Sequence, residues 1–181
     1  MKVPMGIRTT IYGGHCWPIH TTMVLLAWIK LYGIPWDPRI ILSILVHDTG
    51  YAAYACNNLD GEEGERHPYF GAKLMRVFGK EWYDFVLYHS RFLAKRDGKS
   101  YSKLCIADKL AVALTPAWMY IPLARATGEI KEYKALAIQG KYAAENDGNL
   151  SDKEWFRGVQ RFLWSWAWNA YWEQKEKESR P

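Results

Sequence analysis

A chain of 181 residues, 49% of them hydrophobic, is long enough to bury one core and short enough not to require a second, so residues 1–181 are expected to form one domain. Its 24 lysines and arginines against 19 acids give a formal charge of +5, which favours anionic partners, nucleotides ahead of nucleic acid. Cys16, Cys56 and Cys105 are odd in number and lack a C-x-x-C pair, no signal-peptide pattern is present, and no apolar run reaches the roughly 20 residues of a membrane span, which together argue against a disulfide scaffold and for a cytoplasmic protein.

Residues 1–14 show little periodicity and end in Gly13-Gly14, so an irregular lead-in is expected. Pro18 suits the first turn of a helix over 18–32, and Gly33 with Pro35 can end it. Asp37 then caps a second helix, in which Ile40, Ile41, Ile44 and Leu45 recur at helical spacing and His47-Asp48 lie near the C-terminal end. The polar stretch 56–66 reads as a loop. His67-Pro68 open a third helix with Phe70, Leu74, Val77 and Phe78 on one face. A fourth helix over 82–93 carries Trp82, Phe85, Val86 and Leu93 on one stripe, and Ser102 caps a fifth that runs to 114 before Thr115-Pro116 restart the chain. A further helix over 129–145 stops at Asn146-Asp147-Gly148-Asn149, and Ser151 with Glu154 makes a capping box for a last, tryptophan-rich helix. No useful period-2 alternation occurs, so the expected fold is all-α.

A charge on a buried helix face must be paired or coordinated, so polar residues that interrupt apolar stripes are informative. His20 shares a face with Met23, Val24, Ala27 and Leu31, and His89 is in line with Trp82, Phe85, Val86 and Leu93. Asp48 follows Ile41, Ile44 and Leu45, while Asp108 lies among Leu104, Ala107 and Ala111. One histidine so placed is commonly a satisfied core residue. Four of the five histidines (His20, His47, His67 and His89) together with two inward aspartates are instead the donor set of a hydrolytic metal site. His67, at a helix start, can alternatively serve as a cap. Neighbouring His47 and Asp48 cannot both point along one helical direction, which favours Asp48 bridging two ions with His47 reaching the nearer one.

The ordered segments P-I-H-T-T-M-V, L-V-H-D-T-G, H-P-Y-F-G-A, L-Y-H-S-R and C-I-A-D-K-L resemble the dinuclear branch of the HD phosphohydrolases, and most closely its bacterial hydrolases that split diadenosine tetraphosphate symmetrically. The resemblance covers a motif core over about 15–116, leaving a C-terminal helical extension over about 129–178. It implies an HD-domain helical bundle with an additional aromatic-rich C-terminal helix. It also implies two divalent ions: iron, manganese or another transition metal, with magnesium also compatible. His20, His47, Asp48 and Asp108 would hold the first ion, and Asp48 would bridge to a second bound by His67 and His89. The reaction implied is hydrolysis of a phosphoanhydride or phosphodiester bond of a nucleotide by a hydroxide generated on the metal pair, with Asp48 central. Apart from the resemblance, Arg91 and Lys109 adjoin these residues and read either as catalytic phosphate-contacting side chains or as part of an ordinary solvated face. Neighbouring activities are a deoxynucleoside triphosphate triphosphohydrolase or a non-catalytic nucleotide-binding regulatory module.

The chain departs from relatives in carrying Tyr51 where many have lysine, and Ser90-Arg91 where cyclic-di-GMP phosphodiesterases continue with a second histidine. Lys95, Arg96 and Lys103 are further cations near the motifs, whereas Glu62, Glu63 and Glu65 can supply a general acid or keep the loop soluble, the second reading being favoured. His15 and Cys16 lack the second pair that a zinc site needs. Trp17 reads as core, or as a base-stacking residue beside the first ligand. The last helix holds more aromatic area than one face can cover, which points to packing on several sides and to a homo-oligomer contact, with a membrane surface as the less favoured alternative.

Overall fold

The computed structural model describes residues 3–59, 61–138 and 150–180. Among these residues there is no strand, and the chain is all-α: α1 Met5–Tyr12, α2 Trp17–Tyr32, α3 Pro38–Val46, α4 Gly50–Ala53, α5 Gly61–Gly64, α6 Pro68–Met75, a 3₁₀ turn Arg76–Phe78, α7 Lys80–Leu87, α8 Arg91–Arg96, α9 Lys103–Leu114, α10 Ala117–Thr127, α11 Glu129–Ile138 and α12 Asp152–Ser179. No single described helix is long and apolar enough to cross a membrane.

Helix α9 is the axis of the main core. It buries Leu104, Ile106 and Leu110, each worth about 1.5–3 kcal/mol when fully withdrawn from water. Helix α2 packs on one side of it through Val24, Ala27 and Leu31, and α12 on another through Ala167 and Ala170. A second core joins α10, α11 and the start of α12, where Tyr120 stacks on Phe156 with ring centroids 4.2 Å apart. Helix α12 therefore touches both cores, in keeping with the several-sided packing expected of it, and Trp164 and Trp172 stay exposed. It begins at the anticipated capping box, Ser151 Oγ accepting from Glu154 N and Ser151 N donating to Glu154 Oε2. Asp37 likewise caps α3, its carboxylate accepting from Arg39 N.

Several expected boundaries move. The lead-in contains a helix, α1, whose buried side is Gly6 and Thr9; small and polar residues on an inward face leave no apolar period to read. The loop over 56–66 contains α5. Helix α6 buries Pro68, Gly71, Ala72 and Met75, whereas Leu74, Val77 and Phe78 of the apolar stripe are exposed. The helix expected over 82–93 is two helices. It breaks after Leu87 because Ser90 caps a new one, its hydroxyl accepting from Leu93 N at 3.2 Å. Ser102 precedes α9 without capping it through its side chain. The stop expected at 146–149 lies outside the described residues.

Candidate metal centre

The site is assembled at four helix ends and on one helix middle. Helix α3 stops at Val46, so His47 is its C-cap and Asp48 lies in the turn that follows, not on the helix as the apolar stripe implied. That turn lets adjacent side chains enter one space. His67 sits just before α6, His89 in the break between α7 and α8, His20 in the first turns of α2, and Asp108 midway along α9. All six side chains are buried.

Close backbone approach brings the turn and α6 together. A Cβ on Gly50 would collide with the carbonyl of His67, and one on Gly71 with the carbonyl of Val46. Gly50→Ala is therefore expected to push the His67 segment away from Asp48, costing about 1–3 kcal/mol of stability and loosening the His67–His89 side of the site before the His20–His47 side. Thermal denaturation together with metal titration checks this; a variant with unaltered melting and stoichiometry would contradict it.

The six side chains converge around the Asp48 carboxylate. His20 Nε2 lies 3.1 Å from both Asp48 Oδ2 and Asp108 Oδ1, and His47 Nε2 lies 3.4 Å from Asp48 Oδ2 and 3.9 Å from Asp108 Oδ1. The other Asp48 oxygen, Oδ1, is 3.3 Å from His67 Nε2 and 3.2 Å from His89 Nε2. Two groups result, His20–His47–Asp48–Asp108 and Asp48–His67–His89, each with its donor atoms within 4.8 Å of one another. Asp48 is common to both, one oxygen toward each.

Hydrogen bonds behind the rings fix which nitrogen faces inward. His47 Nδ1–H donates to Ile44 O at 2.8 Å, His67 Nδ1–H to Gly64 O at 2.6 Å and His89 Nδ1–H to Val86 O at 2.6 Å. Each carbonyl lies three residues before its histidine, and a carbonyl can only accept. In the Nδ1–H tautomer each ring turns an Nε2 lone pair toward the carboxylate, and His67 Nε2 and His89 Nε2 are only 3.1 Å apart. Lone pairs gathered on anionic oxygens are the donor set of a divalent transition ion, with the backbone carbonyls in the outer supporting role that orients metal-bound histidines. The residues fit the implied metal.

The electrostatics point the same way. Burial works against ionising Asp48, but His47, His20, His67 and His89 gathered around it hold its carboxyl well below the usual range. Asp108 is depressed likewise: burial opposes ionisation, and Lys109, His20 and His47 outweigh it. Burial lowers His67 to about 4, so it is neutral at physiological pH. Burial also disfavours charge on His20, yet Asp108 and Asp48 push it up to about 10, so the metal-free protein holds a proton there that a bound cation would displace.

The cluster opens into a cavity of about 580 Å³. Asp48, His67, His89 and Asp108 line it, as do Arg91 and Lys109. Lys109 Nζ is 2.8 Å from Asp108 Oδ2, and the Arg91 guanidinium lies 4.8 Å from the centroid of Trp166. The other nearby cations face elsewhere, Arg96 toward Asp97 and Tyr69 and Lys103 toward Glu178. Trp17 is neither core nor cavity wall, being partly exposed with its indole N–H donating to Leu45 O at 2.7 Å. Tyr51 stacks on His67 at 3.9 Å, a flat platform in place of a cation.

Two cavity residues had been given other readings from the sequence. Glu65, read as a solubilising acid, lines the cavity and accepts from Ser90 Oγ at 2.8 Å. His15 also lines it, and Glu129 stands behind. Glu129 is fully buried, accepts from Gly14 N at 3.0 and 3.2 Å and from Thr127 Oγ1, and lies 3.6 Å from His15 Nδ1. Glu129 follows His15 by more than a hundred residues, so no local spacing relates them; only three-dimensional proximity could.

No family model, no curated protein and no solved structure matches the chain. The structure itself gives an all-α protein with a buried His/Asp cluster able to hold metal ions, compatible with an HD-like arrangement.

Proposed function

We propose that the chain is a metal-dependent phosphohydrolase of the HD type that cleaves a phosphoanhydride or phosphodiester bond of a nucleotide. The observation that carries this reading is the sharing of Asp48 between two buried donor groups, with Asp48 itself lining a cavity that also presents Arg91 and Lys109. Divalent ions held there would acidify a water molecule and neutralise charge building on the phosphoryl oxygens. Arg91 offers a planar fork of donors to a phosphate, while Lys109, tied to Asp108, adds a point charge beside the first ligand group. His15 has Nδ1 turned toward Thr9 and Glu129, so Nε2 is the ring nitrogen left to meet a substrate oxygen. Because Tyr51 replaces the usual lysine, His15 is our assignment for contact with the leaving group. Exposed Trp164 and Trp172 on α12 support self-association as an accompanying proposal.

Purified protein is expected to carry iron, manganese or a similar ion and to release product from at least one member of a nucleotide panel when supplied with Mn²⁺ or Fe²⁺. Two nucleoside diphosphates from diadenosine tetraphosphate, or tripolyphosphate from a deoxynucleoside triphosphate, would identify the bond. Protein that binds no metal and turns over nothing would overturn the reading. Nucleotide-induced thermal stabilisation with a silent assay would select the non-catalytic binding module instead.

A further inference from the structure

Arg91 and Lys109 are held at the cavity in different ways. Lys109 Nζ is committed to a carboxylate, Asp108 Oδ2 at 2.8 Å. Arg91 opens α8 and is exposed, and among the described residues no carboxylate and no other hydrogen-bond partner takes up its guanidinium. What it meets instead is an aromatic ring of α12: its Cζ lies over Trp166, 4.8 Å from the centroid. Six other lysines and arginines lie over aromatic rings among the described residues, and none of them lines the cavity. Trp166 is fixed in turn. It packs, partly buried, against the main core, its neighbour Ala167 is fully buried, and Tyr101 meets its ring at 5.5 Å. The carbonyl of Tyr101 accepts from Gln174 Nε2 at 3.2 Å, which ties that segment back to α12.

A ring face attracts the charge of a guanidinium and requires none of its five N–H donors. A carboxylate partner would hold the same group by consuming two of them. A long side chain that is already held, with its donors unspent, has less rotamer freedom to lose when it closes on an oxyanion. We infer that Trp166 is a positioning residue: its ring holds the Arg91 guanidinium at the cavity with the N–H donors free for a phosphate. The tryptophan-rich helix, outside the 15–116 motif core, thereby takes part in recognising the ligand. The inference rests on the phosphohydrolase reading for Arg91 as a phosphate contact. Trp166 does not line the cavity and acts only through Arg91.

The test is calorimetric titration of the full chain with inorganic phosphate, in the unaltered protein, Trp166→Leu, Trp166→Phe, Arg91→Ala and the double variant Arg91→Ala/Trp166→Leu. Trp166→Leu is expected to weaken phosphate binding about two- to fivefold, the worth of one exposed cation–π contact, and Trp166→Phe, which keeps a ring face, to weaken it less. Arg91→Ala should weaken it about tenfold or more. In that background Trp166→Leu should add nothing, because the ring then has no guanidinium to hold. A Trp166→Leu loss of equal size with and without Arg91 would mark a general structural effect and overturn the positioning role, as would unaltered binding in Trp166→Leu. Unaltered binding in Arg91→Ala removes Arg91 from phosphate recognition and this inference with it, while turnover of the nucleotide panel decides the hydrolase reading separately. Should Trp166→Leu fold poorly, magnetic resonance of the unaltered protein reports directly. The Arg91 Nε–H resonance is expected to move with inorganic phosphate and not with chloride at equal ionic strength, and to keep its Overhauser contact with the Trp166 ring when phosphate is bound. An unmoved resonance, or a missing contact, overturns the assignment.

Discussion

Asp48→Ala is expected to abolish metal binding by both donor groups and to lower turnover by about 10³-fold or more. Removing one preorganised electrostatic group from an active site typically costs 10²–10³ in rate, and this carboxylate serves two groups at once, Oδ2 facing His20 and His47 and Oδ1 facing His67 and His89. Asp108 touches only the His20–His47 side, so Asp108→Asn should weaken that group while His67, His89 and Asp48 keep theirs. Asp48→Asn preserves side-chain shape and separates loss of charge from loss of packing. Metal content by elemental analysis, read beside circular dichroism to certify the fold, decides the matter. An Asp48→Asn protein that keeps full metal content and full rate would refute the shared-ligand geometry.

Glu129→Ala is expected to destabilise the protein by about 3–5 kcal/mol, since two hydrogen bonds to a charged acceptor, each worth about 1.5–3 kcal/mol, are lost, and so to lower its melting temperature by roughly 6–20 °C. Glu129 is the common acceptor for Gly14 N–H and Thr127 O–H and lies beside His15, so its removal strands donors from two segments. Burial alone would raise its carboxyl pKa, but His15, Thr127 and Gly14 together hold it below the usual glutamate value. A depressed folded-state pKa means that this stabilisation is complete above the unfolded value near 4.5 and disappears as pH falls through the folded one. The difference in stability between the unaltered protein and Glu129→Ala should therefore narrow on acidification below that point. Denaturant titrations at pH 7 and across the acid range measure it, and a pH-independent difference would show that packing rather than charge is responsible. Glu129→Gln, which keeps an acceptor, should lose less stability than Glu129→Ala.

The buried His/Asp cluster was legible in the sequence because coordination chemistry limits the residue types of a metal site to imidazole and carboxylate and because their order resembled a known pattern. The helical period located His20 and Asp108 correctly, since both lie on continuous helices with long apolar stripes. For Asp48 and His89 the same period named the right residues through the wrong geometry. Both occupy breaks, where a residue faces inward through a turn and not through its place on a stripe. Helix α1 left no trace because its inward face is made of Gly6 and Thr9. Glu65 was misread because charge in a polar loop signals solvent unless the partner, here Ser90, is known to lie opposite.

The anchoring of His47, His67 and His89 by peptide carbonyls has a consequence for how the protein can vary. An acceptor belonging to the main chain survives any change of side chain at positions 44, 64 and 86, so substitutions there can disturb volume or strain without deleting the group that aims the ring. Ligand aim at these three positions is written within four-residue spans, insulated from mutation elsewhere. His15 is governed by the opposite arrangement: its alignment depends on the side chains of Thr9 and Glu129, and single substitutions can erase it. A change confined to the His15 ring that leaves the buried His/Asp cluster alone therefore has its natural handle at residue 9.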